Sequence, residues 1–245
     1  MFKNVTYDTC QVLGSNTTMK MNHPRYLAAS IVLDNGTMWV TGGSTYDSAS
    51  KTEFVEVGKP GIVRESLPNP MTDHCMVKIN ESAIILIGGI NSSTVYFYTP
   101  IPGSFYNLWS QGPSLPRPRN GMACGLVKNL VIITGGISGQ DFLKSTLILD
   151  LNRVGQGWIP GPDIPGHPLY RPSLVSTGKT VILFGGIIPF AASYSSSLLE
   201  LQCQSVTQCQ WRLMKQKLHQ GRYSTVGMLL PSQMTQCNNS SADNP

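Results

Sequence analysis

The residue types best suited to chemistry in this 245-residue chain are four histidines and six cysteines. His23, His74, His167 and His219 each stand just before or at the start of an apolar, strand-like run. They therefore share one position in an internal repeat. A ring of imidazoles could bind metal or sense pH. Equivalent positions in neighbouring sheets lie roughly 10 Å apart or more, whereas metal ligands sit near 2 Å, so no metal is expected there. Cys203 and Cys209 flank the polar loop QSVTQ, which suits a hairpin disulfide. Cys75 and Cys124 fall inside corresponding strands of adjacent repeats. Their Cα separation is expected to exceed the ~7 Å limit for a bridge, which predicts buried free thiols.

Nucleophile and cofactor motifs are missing from the sequence. It contains no G-x-S-x-G elbow, no G-x-G-x-x-G loop and no H-E-x-x-H pair. Its 13 acidic residues show no convincing paired carboxylates. The residues thus predict a non-catalytic protein with no cofactor.

The elements that position these groups follow from composition and pattern. Charged residues are only 13% of the chain, with 24 Gly and 17 Pro, which excludes a coiled coil or helical bundle. A 41% hydrophobic content arranged in runs excludes a long disordered chain. No apolar run reaches the ~18–20 residues of a helical membrane span. A net charge of +5 permits acidic partners without demanding nucleic acid.

Four apolar runs end in a glycine pair. Met38–Thr41 precedes Gly42-Gly43, Ile84–Ile87 precedes Gly88-Gly89, 131–134 precedes Gly135-Gly136, and 181–184 precedes Gly185-Gly186. The pairs are spaced by 46, 47 and 50 residues. Each run is short and β-branched, the mark of a buried strand. Paired glycines at its end permit positive φ and close backbone approach. A weaker strand and a tight turn precede each run, and a third strand follows. A fourth strand begins near Trp109, Trp158 and Trp211. The apolar-Pro pairs Leu67-Pro68, Leu115-Pro116 and Ile164-Pro165 keep phase, and Arg25, Arg119, Arg171 and Arg222 open units.

This pattern resembles the kelch repeat over about residues 20–230. The resemblance implies an all-β propeller of four-stranded antiparallel blades, with four clear blades and a partial fifth. The units run over about 23–68, 72–116, 119–165, 169–217 and a partial 219–231. The segment 1–18 is expected to close the last blade through a strand in 4–13, unless the chain is a fragment of a larger propeller. Residues 232–245 are expected to form a disordered tail. Cys10 and Cys237 both fall in the closing unit, where a bridge would lock the ring. Departures are the missing Trp near Ile62 and Asp73-His74 where the second unit should carry Arg.

In kelch domains that bind peptides, residues just after the opening Arg line the channel mouth. Carried over, these are Tyr26, Asn120 and Tyr223, with Ser173 the nearest candidate after Arg171-Pro172 and His74 a positional counterpart in the second unit. Loops after the glycine pairs add Ser44, Asn91 and Ser138. Tyr and Asn offer rigid area and adaptable hydrogen bonds. The basic stretch 211–222, with Arg212, Lys215, Lys217 and Arg222, reads as a solvated outer strand and loop. It could also draw heparin-like chains, acidic lipid or acidic protein. Copper-radical oxidases share this propeller, but their Tyr, Tyr, His, His set is not matched by Tyr170, Tyr194 and Tyr223.

Sequons stand at Asn4, Asn16, Asn35, Asn80, Asn91, Asn238 and Asn239, against roughly 2.5 expected by chance from composition. With Cys203 and Cys209 they predict an oxidising, secretory setting, although residues 1–10 carry no signal-peptide core. The expectation is an extracellular module that captures a protein or glycan, without nucleic acid and without membrane insertion. An intracellular kelch protein binding actin or a ubiquitin-ligase substrate is one alternative. A propeller oxidase or sugar epimerase is another.

Overall fold

The structure is a computed structural model, and it describes residues 7–11, 18–44, 48–80, 82–99, 109–191 and 193–224. All its regular structure is β apart from one 3₁₀ turn at Val154–Gln156. The chain opens with β1 (Tyr7–Gln11) and β2 (Thr18–Arg25), which pair antiparallel. Sheet 1 is β3 (Ala29–Val32), β4 (Met38–Thr41), β5 (Thr52–Val55) and β6 (Ile62–Arg64). Sheet 2 is β7 (Cys75–Lys78), β8 (Ile84–Ile87), β9 (Val95–Tyr98) and β10 (Trp109–Gln111).

Sheet 3 starts with β11 (Ala123–Val127) and β12 (Leu130–Thr134). A small hairpin follows, β13 (Ile137–Ser138) and β14 (Asp141–Phe142), before β15 (Thr146–Asp150) and β16 (Ile159–Pro160) complete the sheet. Sheet 4 repeats the plan: β17 (Ser173–Ser176), β18 (Thr180–Phe184), the hairpin β19 (Ile187–Ile188) and β20 (Ser193–Tyr194), then β21 (Ser197–Ser205) and β22 (Gln208–Lys217). Each large sheet is an antiparallel meander in chain order.

Neighbouring sheets bury one another's faces, because a twisted four-stranded sheet that is apolar on both sides cannot cover itself. Ile84, Leu86, Tyr96 and Tyr98 pack with Trp39 and Met71 between sheets 1 and 2. Ile85, Ile87 and Val95 pack with Val131, Ile133 and Leu149 between sheets 2 and 3. Ile132 and Ile148 meet Val181, Leu183, Leu201 and Trp211 between sheets 3 and 4. Met21 of β2 closes on Val40 and Val55, so β2 covers the far face of sheet 1. The first strands β3, β7, β11 and β17 lie next to one another, in sequence, along the inner side of the stack.

All eight glycines of the four doublets have positive φ, from 60° at Gly42 to 118° at Gly89. Their role is to stitch sheets together. The second glycine donates its N–H to a carbonyl of the next unit: Gly43 to Met71 at 2.9 Å, Gly89 to Arg119 at 2.9 Å, Gly136 to Leu169 at 2.8 Å, and Gly186 to Arg222 at 2.7 Å. A Cβ on Gly135 would lie 2.6 Å from the Leu169 oxygen of the next unit, so a side chain there would push the sheets apart, and one on Gly136 would lie 2.6 Å from the Asn120 oxygen of its own unit.

Two expectations about cysteine resolve differently. Cys203 and Cys209 form the expected bridge, across directly paired positions of β21 and β22. Cys75 and Cys124 are also bridged, with Cα atoms 6.2 Å apart, and are half-buried rather than buried. The expectation of free thiols is therefore corrected. The ~10 Å spacing of packed sheets holds at mid-sheet, but β7 and β11 are innermost strands, where successive sheets converge. A strand does form within 4–13, as β1, but among the described residues it pairs with β2 and not with a strand of the last unit, so closure of the last blade by this segment is not seen. Residues 225–231, the tail 232–245 and Cys237 lie outside the described residues.

Candidate functional site

One end of the stack is built from five residues in the left-handed region: Leu27 (φ 55°), Asp73 (56°), Gly121 (59°), Arg171 (52°) and Ser224 (49°). Each precedes a first strand or, for Ser224, the fifth unit. They form a relay of backbone hydrogen bonds. Asp73 N–H donates to Leu27 O at 2.9 Å, Gly121 to Asp73 at 3.1 Å, Arg171 to Gly121 at 2.8 Å, and Ser224 to Arg171 at 3.1 Å. Four non-glycine residues in strained backbone conformation, lined up in this way, mark a position held by the surrounding structure.

This relay fixes the true register of the repeat. Counting back two residues from it, Arg25, Met71, Arg119, Leu169 and Arg222 are equivalent. Arg171 is thus not the counterpart of Arg25 and Arg119. It sits two residues later and belongs to the relay itself. Arg119 donates to Ser145 O at 3.0 Å and to Ser145 Oγ at 2.8 Å, and burial, then Arg117, lower its pKa to about 10. Arg25 donates to Gly42 O at 2.7 Å and ion-pairs with the fully buried Glu53. Burial alone would raise the Glu53 pKa, but hydrogen bonds from Asn22, His23 and Arg25 outweigh it and hold the carboxyl below its usual range. Met71 and Leu169 fill the same slots with apolar packing.

The position after the Arg slot is Tyr26, Thr72, Asn120, Tyr170 and Tyr223. The carried-over residues Tyr26, Asn120 and Tyr223 keep this place. In the fourth unit it belongs to Tyr170, not Ser173, and in the second to Thr72, not His74. Ser173 is buried at the start of β17. His74 is buried beneath sheet 1, where Nε2 meets Thr41 Oγ1 at 2.9 Å, and burial lowers its pKa to about 4. Of the other histidines, His23 lies against Glu53 at 3.0 Å, while His167 and His219 are exposed.

Asp73 is the polar hub of this end. Its Oδ2 accepts from Asn120 Nδ2 at 2.8 Å and from Tyr170 OH at 3.3 Å, and its Oδ1 faces Arg171 Nε at 3.3 Å. Burial, followed by the Asp73 charge, raises the Tyr170 pKa. The Arg171 guanidinium lies 4.9 Å from the Tyr170 ring centre. Phe142 of β14 packs edge-on against Tyr170 and against Phe190. Phe190 stands at the tip of the β19–β20 hairpin, 95% exposed with φ 66°. Tyr194 stacks on Tyr223 at 4.9 Å. An open groove of about 500 Å³ runs beside Phe142 and Phe190, bordered by Arg117, Asp141, Lys144 and Asp163.

Ser44 donates to Tyr26 OH at 3.0 Å, which joins these two candidates. Ser138 lies in β13, half-buried, and Asn91 is exposed with φ 55° just past Gly88-Gly89. Asn35 and Asn80 are exposed in turns at the opposite end of sheets 1 and 2. Their side-chain oxygens cap their own turns, accepting from Thr37 N at 3.0 Å and from Ala83 N at 2.8 Å. Cys10 is in β1, and Asn4, Asn16, Asn238 and Asn239 lie outside the described residues. Sequence reasoning missed Asp73, Tyr170 and Phe190 as one cluster. Counting back 15 or 16 residues from each unit's own glycine pair, rather than from Arg, would have found Tyr170.

No family model matches the chain. Residues of the chain align with Host cell factor 1 of Homo sapiens and of Mus musculus at 32% identity over 112 residues, covering 44% of this chain and 5% of those proteins. The match thus spans a small part of those relatives. A solved structure titled "Structure of YjhT" superposes with a TM-score of 0.64 at 14% identity, over 83% of this chain and 68% of that one. The likeness to the solved structure shows the fold, successive antiparallel four-stranded sheets.

Proposed function

We propose that the chain is an extracellular, non-catalytic binding module that captures a protein or glycan partner on the end of the stack carrying the left-handed relay. The carrying observation is the Asp73 hub, which holds Asn120 and Tyr170 beside Arg171, at the end of the stack where the backbone relay also fixes the equivalent Tyr26 and Tyr223. Loops and strand ends fixed by such a frame are where binding residues concentrate. Aromatic and polar groups side by side suit recognition without catalysis. Two disulfides favour an oxidising compartment. No helix among the described residues is long and apolar enough to cross a membrane, which says nothing of a β-barrel. The Asn35 and Asn80 sequons leave the binding end open, whereas Asn91 stands in a loop bonded to Thr72 and Arg119 at that end, so a glycan there would shield part of it.

The test is expression in secretory cells, followed by screening against arrays of ectodomains and glycans. The expected result is a mass that falls with glycosidase and a binder whose affinity drops at least about tenfold, ~1.4 kcal/mol, in N120A/Y170A. The thermal midpoint should stay within a few degrees. A mass indifferent to glycosidase together with an alkylatable Cys203 contradicts the extracellular reading. A binder unaffected by the double variant contradicts the site.

A further inference from the structure

The outer strand of sheet 4 is built unlike its counterparts. β22 has 10 residues, whereas β6 and β10 have 3 and β16 has 2. Its partner β21 has 9. The Cys203–Cys209 bridge ties the two strands beside their turn. Trp211 anchors the middle, donating from Nε1 to Pro162 O at 3.1 Å and to Thr146 Oγ1 at 3.2 Å of sheet 3. The strand is thus held beside its turn and near its centre, with a register shift toward each end of the ladder. Among the described residues, no strand other than β21 pairs with it, so its outer edge is unladdered.

A long exposed edge strand is an association hazard that proteins normally shorten or cover. Here it is long, and its exposed side chains include three cations, Arg212, Lys215 and Lys217, among the neutral Gln208, Gln210 and Gln216, and no carboxylate. Leu213 lies among them, 64% exposed. The one carboxylate opposite the strand, Glu200 facing Arg212, already accepts from Gln202 at 2.9 Å. Pairing of β22 with a second copy of itself would set cations against cations, which is unfavourable across a ladder. The same charges favour an acidic strand.

The geometry points to β22 as a second docking edge, which takes an extended acidic peptide segment of a partner protein by strand addition. Main-chain hydrogen bonds would extend sheet 4 by one strand, with acidic side chains meeting Arg212 on one face and Lys217 on the other, and an apolar residue covering Leu213 on the Lys217 face. A sulfated glycan could meet the cations, but it has nothing to offer the free backbone edge or Leu213. This edge is separate from the end of the stack proposed above, and either reading can fail alone.

The probe is a fluorescent ten-residue peptide in which pairs of glutamates alternate with pairs of valines, so that each face carries both, titrated against the full chain by anisotropy. The expected result is saturable binding that weakens several-fold between about 50 and 150 mM salt. Two changes should each cost at least about tenfold in affinity. One is the exposed-site variant R212E/K215E/K217E, with its fold verified by an unchanged thermal midpoint. The other is the same peptide with alternate backbone amides N-methylated, which keeps its charge but cannot complete a ladder. Absence of binding overturns the proposal. So does equal binding by the N-methylated peptide or by a heparin oligosaccharide of matched charge, which would leave only attraction of polyanions. Unchanged binding by the triple variant overturns it as well.

Discussion

Buried ionisable side chains show how this sequence spends polarity. His74 is held neutral under sheet 1 with its pKa lowered from 6.5 to about 4, chiefly by burial. The unfolded chain therefore binds a proton between pH 6.5 and 4 that the folded chain does not. Stability from this group is present above pH 6.5 and is lost as pH falls toward 4. The interval corresponds to about 3 kcal/mol. In H74Q the loss of stability between pH 6.5 and 4 should be visibly shallower in urea titrations, and an identical slope would exclude His74 as the source. Glu53 and Arg25 solve the opposite problem, since each supplies the charge the other needs once both leave water. His74 was legible as a residue at the start of a unit, but not as a buried one. Its burial depends on the offset between Met71 and Cys75, which only the relay reveals.

At the level of elements, the glycine doublet is the feature that sequence alone read best. Doublets recurring every 46 to 50 residues after β-branched runs left little choice but a buried second strand with a sharp exit. The reason for two glycines is now physical: both adopt positive φ, and the second bonds to the next unit. Gly136→Ala should cost about 3 kcal/mol, because it adds both a strained φ and a collision with Asn120. Gly139→Ala, at φ 62° with open space around its Cβ position, should cost only about 1 kcal/mol. Equal costs in chemical denaturation would mean that the doublet is merely a turn. The Arg position was read less well. Met71 and Leu169 replace Arg in two of five units, and Arg171 supplied a false counterpart two residues away. The absent Trp of the first unit has no replacement among the described residues: Trp109, Trp158 and Trp211 each reach back to the preceding unit, whereas Ile62 at the corresponding place is exposed.

Over the whole molecule, the stacking of sheets around an inner line of first strands determines which residues can meet. Tyr26, Asn120, Tyr170 and Tyr223 are spread across nearly 200 positions of sequence, yet they share one end because every unit enters its first strand through the same relay. The Cys75–Cys124 bridge is the sharpest case. Their separation of 49 residues says only that they are in register. The convergence of β7 and β11 at the inner side brings them within bonding range, and neither periodicity nor composition carries that radius. The most direct measurement is non-reducing peptide mapping of the folded chain recovered from a secretory host. Inner strands of successive sheets packed side by side predict a crosslinked peptide joining Cys75 to Cys124, released by reductant, with a stability loss of about 2–4 kcal/mol in C75S/C124S. Both thiols recovered free, or Cys75 paired with any other cysteine, would contradict that arrangement.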